Sequence, residues 1–481
     1  MLQCKDINKI SELKNGFTHS WLEPEFILSS LKCFSFSSLC KGLNSLKIKG
    51  YSFECVISIL ISLPFTGLKT INHIYTSSFV SHIEAKKDVF YRLKNNPAIC
   101  WRFILWMFSC KFRDLVKKDT ANNVLKCLVF DDTLLAKTGK CIEKVSYVWD
   151  HVLNRCILGY KLMVMGYWDG TSLIPLDFSL HRERGKNKEK PFGLKKKDYK
   201  RQYSKQRKSD SHSYNRVKEV DISKIESMLK MFKRAISHGF IVDYVLTDSW
   251  FTCEALICAV KNIKKQTVHL IGMFKIAKAK FNYNGKSLTY KQILNDAGKA
   301  KRCRKLKMHY KQAQVIYKEK SLQLFFSRQG KNGKWKVLLT TDLKLSFIQM
   351  IEIYQIRWTI EVCFKEAKQL LGLGNCQSND FDAQIADVTI TMIQYILLTL
   401  RFRYDIYETK GKLFEQVRNE YVMQRLNERL WGLFLELMNI LETLFDSINE
   451  MELFEKIINN DKAMEGIKKI FCINDNMKNV A

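Results

Sequence analysis

The order of short apolar runs between residues 124 and 274 constrains the fold most strongly. Short apolar runs bounded by turn residues predict strands, and apolar residues that recur every three or four positions predict helices. Three strands, a helix, a strand, a helix and a strand in this order predict an α/β fold, a mixed sheet flanked by helices. The strands are predicted at Val124–Phe130, Ile157–Tyr167, Leu173–Phe178, Ile241–Thr247 and Val268–Phe274, and the helices at Ser223–Ser237 and Glu254–Lys264.

The N-terminal and C-terminal regions show helical patterns instead. Apolar residues within residues 1–119 recur mostly at three and four positions. Aromatic and basic side chains alternate there at Tyr91, Arg92 and Trp101, which is typical of a DNA-binding helical domain and also of an ordinary helical bundle. Residues 406–481 are predicted to be helical too, and their leucines would serve either dimerisation or an intramolecular core.

A strand-rich segment interrupts the core. Residues 277–342 contain three predicted strands and a Gln329-Gly330 turn, so we expect an inserted β subdomain there. The core is then expected over residues 120–276 and 343–405. The three strands are Ala313–Tyr317, Leu322–Ser327 and Trp335–Thr340.

The chain is strongly basic, with 79 Lys and Arg residues against 48 Asp and Glu residues and a formal net charge of +31. Such an excess indicates a polyanionic partner rather than surface solubility alone. Nucleic acid is favoured over an anionic membrane, because apolar runs such as Val56–Pro64 and Ile390–Leu400 fall short of the roughly 20 residues of a membrane span.

Much of this charge lies between Arg182 and Lys218, where large apolar residues are few. Such a segment cannot bury a core, and we expect a mobile loop or arm that adds salt-dependent, sequence-independent affinity for DNA. Its basic residues include Lys186, Lys188, Lys190, Lys195, Lys196, Lys197, Lys200, Arg201, Lys205, Arg207 and Lys208.

The cysteines and the first residues indicate an intracellular protein. Fifteen cysteines are scattered through apolar stretches without any Cys-x-x-Cys pair, which favours reduced thiols over disulfides or a thiolate zinc site. The first sixteen residues lack a continuous apolar segment, so no secretory signal is expected and the predicted location is the cytoplasm.

Four polar residues share one face of a predicted helix that begins near Ser346. At about 100° per residue, Tyr354, Arg357, Glu361 and Lys368 fall within about 60° of one another. The other faces are apolar, so the helix is expected to pack against the sheet. Arg357 and Glu361 could form a simple ion pair between residues four apart, worth a few tenths of a kcal/mol.

Two aspartates that precede this helix in sequence could act together with its polar face. Asp132 and Asp248 are predicted to end separate strands, where carboxylates converge beside a sheet edge, although Asp248 could instead cap a helix. With Glu361 they form the oxygen-rich set that Mg²⁺ or Mn²⁺ prefers. Alternation along the strand puts Asp131 and Asp132 on opposite faces, and both faces are apolar, so either aspartate could be the ligand.

The spacing of Tyr354, Arg357, Glu361 and Lys368 resembles the Y-R-E-K motif of bacterial insertion-sequence DDE transposases, the "IS-four" type. The elements Asp131-Asp132-Thr133 and Leu246-Thr247-Asp248 are similar to the first and second acidic motifs of that family, and the strand-rich insertion is similar to its β insert. The resemblance spans roughly Val124 to Arg403. It implies a ribonuclease-H-like core with an inserted β subdomain and helical N- and C-terminal regions.

The resemblance also implies roles for individual residues. Asp132, directly before Thr133, would hold two Mg²⁺ or Mn²⁺ ions together with Asp248 and Glu361. Tyr354, Arg357 and Lys368 would bind phosphates near the cleaved DNA end. Trp358 and Trp335 resemble tryptophans that stack on a displaced base in hairpin-forming relatives, although Trp335 could equally pack in a core.

The implied activity is cutting and joining of double-stranded DNA at terminal inverted repeats, followed by strand transfer into target DNA, with a homodimer acting on the two ends in the bacterial cytoplasm. In Y-R-E-K relatives the freed 3′-hydroxyl attacks the opposite strand to form a hairpin. Two alternatives are a DNA-binding protein that keeps the fold without catalysis and a metal-dependent nuclease without strand transfer.

Overall fold

The computed structural model describes residues 25–44, 46, 50–68, 70–76, 85–121, 124–274, 279–330, 332–444, 452, 455–457 and 459–470. The first sixteen residues, for which no secretory signal is expected, lie outside these ranges, as do residues 445–450 and 471–481 of the predicted C-terminal helical region.

Twelve strands form one sheet in the described part of the chain. The strands are β1 (Cys127–Ala136), β2 (Ser146–Asp150), β3 (Arg155–Trp168), β4 (Leu173–His181), β5 (Tyr244–Thr247), β6 (His269–Met273), β7 (Lys280–Tyr283), β8 (Lys286–Thr289), β9 (Lys301–Cys303), β10 (Met308–Tyr317), β11 (Lys320–Gln329) and β12 (Lys336–Thr340). Their order across the sheet is β2-β3-β1-β5-β6-β12-β11-β10-β7-β8, with β4 beside β3 and β9 beside β10. The pairs β1/β5 and β5/β6 are parallel and the others are antiparallel, so the sheet is mixed.

Helices precede, interrupt and follow the strands in sequence. Before it in sequence come α1 (Glu25–Cys33), α2 (Phe36–Asn44), α3 (Phe53–Ser62), α4 (Ile71–Tyr75), α5 (Lys87–Lys94) and α6 (Trp101–Val116). Between strands lie α7 (Lys196–Lys200), α8 (His212–Glu219), α9 (Lys224–Ser237), α10 (Glu254–Lys261) and α11 (Tyr290–Asp296). After the sheet come α12 (Phe347–Gln355), α13 (Trp358–Leu370), α14 (Phe381–Tyr404), α15 (Lys410–Leu444) and α16 (Asp461–Ile470). The expected α/β class with a mixed, helix-flanked sheet is confirmed.

The chain divides into two compact units. One comprises residues 30–61 and 85–411 and contains the whole sheet, and the other comprises residues 1–29, 62–84 and 412–481. Within the first unit, strands β7–β12 continue the central sheet, because β12 pairs with β6. The domain boundaries expected from the sequence stay predictions.

Helix α14 lies in the core of the first unit. By length and composition alone it could cross a membrane, but 94% of its apolar window is buried inside the protein. Every residue from Phe381 to Ala386 and from Val388 to Leu400 is buried, so all sides of the helix are covered. A helix that is apolar all round is stable in water only when other elements surround it in this way.

The structure corrects three sequence-based expectations. Strand β1 runs on to Ala136, so Asp131 and Asp132 lie within the strand and not at its end. Strand β2 was not expected from the sequence. The single helix predicted from Ser346 is divided into α12 and α13 by a tight turn at Ile356 and Arg357.

The basic stretch between Arg182 and Lys218 is a loop that contains short helices and is joined to the rest of its unit by ion pairs. It contains α7 and most of α8, and its basic residues Lys205, Arg207 and Arg216 reach buried carboxylates. Arg207 binds both oxygens of Glu143 at 2.7 Å, and Lys205 donates to Asp380 and Asp382 at 2.9 and 3.0 Å. These long-range ion pairs compensate for the lack of apolar residues.

Candidate active site

Asp131 of β1 lies near Asp248, the residue that directly follows β5. Strands β1 and β5 are parallel, and their register pairs Phe130 with Thr247. The next residue in each segment is an aspartate: Asp131 within β1, and Asp248 just beyond the end of β5. If the register continues by one residue, the two carboxylates share one face of the sheet. The negative charge of Asp248 acts on Asp131, in agreement with this placement.

Arg357 connects this face to Glu361. Its Nη1 donates to Oδ2 of Asp131 at 3.0 Å, and its Nη2 donates to Oε1 of Glu361 at 2.5 Å. The guanidinium therefore lies between a carboxylate of β1 and a carboxylate of α13. The ion pair between Arg357 and Glu361 expected from their spacing is present, but it is part of a larger cluster.

Asp248 is held by the loop that follows β5. Its Oδ1 accepts hydrogen bonds from the backbone N–H groups of Trp250 and Phe251 at 2.9 and 3.2 Å, while its Oδ2 accepts none from the described residues. The Thr252 hydroxyl is 2.9 Å from that of Thr247 and donates to the Asp248 carbonyl at 2.8 Å. The loop thus fixes one carboxylate oxygen and leaves the other for a ligand.

Glycine is required beside this loop. A Cβ atom at Gly272 of β6 would lie 2.1 Å from Oγ1 of Thr252 and 2.8 Å from Oγ1 of Thr247. A larger residue would therefore displace the pair of hydroxyls that shapes the Asp248 loop.

Tyr354 and Lys368 reach the same region from α12 and α13. The Tyr354 hydroxyl donates to the Thr247 carbonyl at 3.2 Å, directly before Asp248. The Lys368 ammonium donates to Oγ1 of Thr133 at 2.7 Å. Because Thr133 lies two residues beyond Asp131 on β1, it points to the same face. Tyr354, Arg357, Glu361 and Lys368 therefore all face this side of β1 and β5.

Burial and charge raise the affinity of Asp131 for a proton. Burial is the main cause, and with the negative charge of Asp248 it raises the pKa of Asp131 to about 7, although the Asp132 N–H and Arg357 act in the opposite direction. Burial, together with Asp248 and Asp131, raises the pKa of Tyr354 to about 12. Burial also lowers the pKa of Lys368, and the nearby Lys161 adds to this effect. Burial therefore disfavours the charged form of each of these groups, the carboxylate and the phenolate as well as the ammonium.

Asp132 lies on the other face of the sheet. Its Oδ2 accepts a hydrogen bond from Lys224 of α9 at 2.5 Å, and its Oδ1 lies 3.9 Å from the ammonium of Lys161 on β3. The structure therefore brings Asp131, and not Asp132, together with Arg357 and Glu361. The physical reason is the alternation of side chains along β1, which turns adjacent residues to opposite faces.

Asp132 adjoins a basic cavity of about 470 Å³. Lys161, Lys224, His181 and Arg182 contribute to its lining. Burial, and then the charge of Lys224, lower the pKa of His181 to about 4. Sequence reasoning missed Lys161 and Lys224, and no local pattern indicates them because they come from different elements.

The tryptophans occupy different environments. Trp358 is 61% exposed at the start of α13, directly after Arg357. Trp335 is partly buried before β12, and its ring lies 4.6 Å from the guanidinium of Arg328 on β11. Trp250, which the sequence did not single out, is also 61% exposed and follows Asp248 by two residues.

The oxygen donors fit a hard divalent cation in type, but their present spacing does not form a closed site. Among the described residues, no three His, Cys, Asp or Glu side chains lie close enough together to hold a metal ion. Arg357 occupies the space between Asp131 and Glu361 and neutralises them as a cation would. A metal at this site would therefore need Asp131, Asp248 and a reoriented Glu361.

Residues 167–397 match the family described as the transposase DDE domain. The match covers slightly less than half of the chain and includes Asp248, Tyr354, Arg357, Glu361 and Lys368, whereas β1 with Asp131 precedes it. It supports a DDE transposase family for this chain.

No curated protein matches the chain. Among solved structures, the chain is similar to the cryo-EM structure of the piggyBac transposase synaptic complex with hairpin DNA, with a TM-score of 0.46 and 13% sequence identity. The similarity covers 83% of this chain and 81% of that one.

Proposed function

We propose that this chain is a DNA transposase of the Y-R-E-K group, with a ribonuclease-H-like catalytic core that cuts DNA at the ends of its element and joins them to target DNA. One observation carries the proposal: Asp131 and Asp248 directly follow the register partners Phe130 and Thr247 and interact electrostatically, and Arg357 links Asp131 to Glu361. The transposase DDE domain match supports the same reaction class.

Asp131, Asp248 and Glu361 would hold the divalent ions, Mg²⁺ or Mn²⁺, and two ions are proposed. Asp131 replaces Asp132 in this set because Asp132 points to the opposite face and is engaged by Lys224. Bound ions of this kind lower the pKa of a nucleophilic oxygen and stabilise negative charge on a leaving oxygen.

Tyr354, Arg357 and Lys368 would bind the DNA end. The guanidinium fork that holds Asp131 and Glu361 matches the two oxygens of a phosphate equally well. The Lys368 ammonium, 2.7 Å from Thr133, would supply a point charge further along β1. The exposed ring of Trp358 would stack on an unpaired base beside these phosphates, which is worth about 1 to 3 kcal/mol per base. Trp335 is proposed as a second stacking residue, from the β insert.

The other regions of the chain would assist this reaction. The N-terminal helices would bind DNA, residues 277–342 would form a β insert, and two copies would act on the two ends in the bacterial cytoplasm. The net charge of +31 supports binding of terminal repeats and target DNA. A hairpin intermediate would use Trp358 and Trp335.

Two alternative functions for this chain are a DNA-binding protein without catalysis and a metal-dependent nuclease without strand transfer. The charge of Asp248 acting on the buried Asp131, and the Arg357 bridge from Asp131 to Glu361, support catalysis over simple binding, because a surface that only binds DNA gains nothing from carboxylates placed among its cations.

The experiment supplies purified protein with Mg²⁺ or Mn²⁺ and DNA that carries the repeats flanking its own gene. We expect cleaved ends and joined products, and neither from Glu361→Gln. Val362→Ala, at an exposed neighbouring position on α13, is the control and should retain both activities. If Glu361→Gln cleaves as well as the parent protein, the active-site assignment is wrong. Cleavage without any joined product would favour the nuclease.

A further inference from the structure

The cavity beside Asp132 is lined by more positive than negative charge. Four cationic side chains and two carboxylates contribute to its walls, and His181 adds no charge near pH 7 because its pKa is about 4. We call this space the α9 cavity, because α9 begins at its wall. Its charged residues are Lys161, Arg182, Arg184, Lys224, Glu183 and Asp221.

Both carboxylates of the α9 cavity already have partners. Asp221 accepts hydrogen bonds from the guanidinium of Arg182 at 2.5 and 2.8 Å. Glu183 accepts a hydrogen bond from the backbone N–H of Trp149 at 2.9 Å. The excess of positive charge is therefore available to an anionic ligand.

Lys161 carries part of this charge into the interior of the protein. Its side chain is only 6% exposed, and its ammonium makes no hydrogen bond with any residue that the structure describes. Its neighbour Asp132 lies 3.9 Å away through Oδ1, while Oδ2 of Asp132 accepts a hydrogen bond from Lys224. A buried ammonium without acceptors is costly, because it has lost its hydration. An anion in the cavity would supply the acceptors.

The N-terminus of α9 adds backbone donors to the same cavity. Ser223 caps this 14-residue helix by accepting a hydrogen bond from the Glu226 N–H, whereas the Lys224 N–H donates to no residue in the described part of the chain. The end of such a helix carries a partial positive charge and binds phosphate groups readily. Ser223, Lys224 and Lys161 all line the cavity, so the helix end and the buried ammonium favour the same kind of ligand.

The size and the place of the cavity favour a phosphate that is part of DNA. Its volume of about 470 Å³ is enough for a phosphate together with its sugar. The Lys224 ammonium lies 5.3 Å from the centroid of the Trp250 ring, which is exposed and follows Asp248 by two residues. The cavity thus adjoins the loop of the proposed active site.

We propose that the α9 cavity binds one phosphate group of a DNA strand through Lys161, Lys224 and the N-terminus of α9. This inference rests on the proposed function for its choice of DNA as the partner. It adds a contact on the face of β1 opposite to Asp131, so the DNA would meet the protein on both faces of this strand.

The first test measures affinity for terminal-repeat DNA by fluorescence anisotropy, without metal. Lys161→Gln removes the buried ammonium and leaves Asp132 paired with Lys224, so no carboxylate loses its only cation. We expect the affinity to fall about 10-fold, as for one hydrogen bond to a charged group. The control Lys233→Gln removes an exposed lysine of the same helix outside the cavity and should bind as the parent protein does.

A second pair of variants tests the helix end without loss of the cap. Asp and Asn cap helices as well as Ser does, so Ser223→Asp and Ser223→Asn should both fold, which thermal unfolding verifies. Only Asp adds a negative charge at the cavity wall. We expect Ser223→Asn to bind DNA about 10-fold more tightly than Ser223→Asp does, because like charges repel. Equal affinities of these two variants, with Lys161→Gln equal to the parent protein, would overturn the proposal.

Neutral linkages in the DNA identify the phosphate. A single methylphosphonate is placed at successive positions of the terminal-repeat DNA. We expect one position at which it weakens binding by the parent protein about 10-fold and adds no loss in Lys161→Gln, because both changes remove the same contact. A purely structural effect of Lys161 would not select one phosphate. Losses that add at every position would contradict the proposal.

Inorganic phosphate separates the DNA from a free ligand. If it raises the Tm of the parent protein but not that of Ser223→Asp, while both bind DNA equally, the cavity binds free phosphate and the DNA assignment is wrong. A parent protein that shows the expected coupling but neither cuts nor joins DNA would contradict the transposase activity alone. A parent protein that cuts and joins DNA without this coupling would contradict the cavity proposal alone.

Discussion

Arg357 donates a hydrogen bond to Asp131 at 3.0 Å although the two residues are 226 positions apart in sequence. The same guanidinium reaches Glu361 on the next turn of its own helical segment. A charged helix residue thus joins the two carboxylates that the proposed reaction needs. This contact is the reason why we propose Asp131 as the aspartate of β1 that serves the site.

We expect Asp131→Asn to abolish metal-dependent DNA cleavage and Asp132→Asn to retain most of it. Asp131 faces Asp248 and Arg357, whereas Asp132 faces Lys224. Loss of a metal ligand should reduce the cleavage rate at least about 100-fold, or about 2.7 kcal/mol of barrier. Cleavage rates under single-turnover conditions, with Tm as the control for folding, provide the measurement. A larger loss of cleavage rate in Asp132→Asn than in Asp131→Asn would indicate that Asp132 is the ligand instead.

Lys368→Gln should weaken binding of the DNA end in the absence of metal. The Lys368 ammonium donates a hydrogen bond to Thr133, which holds it on the sheet face that carries Asp131. Burial lowers the pKa of this ammonium. Removal of one phosphate contact is expected to reduce the slope of log K against log salt by about 1. Fluorescence anisotropy across salt concentrations measures this slope. The control Lys318→Gln, a lysine already paired with Glu254, should leave it unchanged.

We expect the folded protein to lose stability in mild acid because of His181. Its Nδ1 lies 3.1 Å from the Ile222 carbonyl and its Nε2 lies 2.7 Å from the Ser179 hydroxyl, which suits a neutral ring. Burial, and then Lys224, lower its pKa from 6.5 to about 4. Below pH 6.5 the unfolded chain therefore binds a proton that the folded protein excludes. Stability should fall by roughly 3 kcal/mol between pH 6.5 and pH 4 from this residue.

Urea unfolding of parent and His181→Gln protein at pH 5 and pH 8 measures this effect. The difference in unfolding free energy between the two pH values should shrink in the variant. His151→Gln, at an exposed histidine, should behave as the parent does. An unchanged pH dependence in His181→Gln would show that another group controls acid stability.

Arg207→Met should destabilise the protein by about 3 to 5 kcal/mol, because it leaves buried carboxylates without their cation. Arg207 binds Glu143 at 2.7 Å and lies 3.4 Å from Asp382. Denaturant unfolding provides the free energy. Lys200→Met, at an exposed position of the same basic stretch, should change it by less than about 0.5 kcal/mol. Equal effects of the two substitutions would contradict an anchoring role for Arg207.

The exposed lysines of this stretch should contribute to DNA affinity without sequence preference. Lys195, Lys196 and Lys197 are solvent-exposed while Arg207 holds the segment in place. Their combined replacement by Gln should reduce the salt slope of binding by up to about 2.7, at about 0.9 per phosphate contact. The loss should be the same for terminal-repeat and unrelated DNA. A loss confined to terminal-repeat DNA would indicate sequence recognition instead.

The sequence alone predicted the elements whose patterns are local. The strands Ile157–Tyr167 and Ile241–Thr247 and the helix Ser223–Ser237 are present with modest changes at their ends, because apolar periodicity reflects one buried face of each element. The common face of Tyr354, Arg357, Glu361 and Lys368 could also be predicted from the sequence, since these residues lie within four helical turns. The tight turn at Ile356 and Arg357 does not separate them.

Only the tertiary structure decided which aspartate joins that face. Both faces of β1 are apolar, so its sequence pattern could not orient Asp131 and Asp132, whereas the register with β5 places Asp131 beside Asp248. The ion pairs of the basic stretch could not be predicted from the sequence either. Arg207 pairs with Glu143 before β2, and Lys205 pairs with Asp382 on α14, and both partners are far away in sequence. Local periodicity determines which face of an element is buried, but strand register and long-range ion pairs exist only once distant segments pack together.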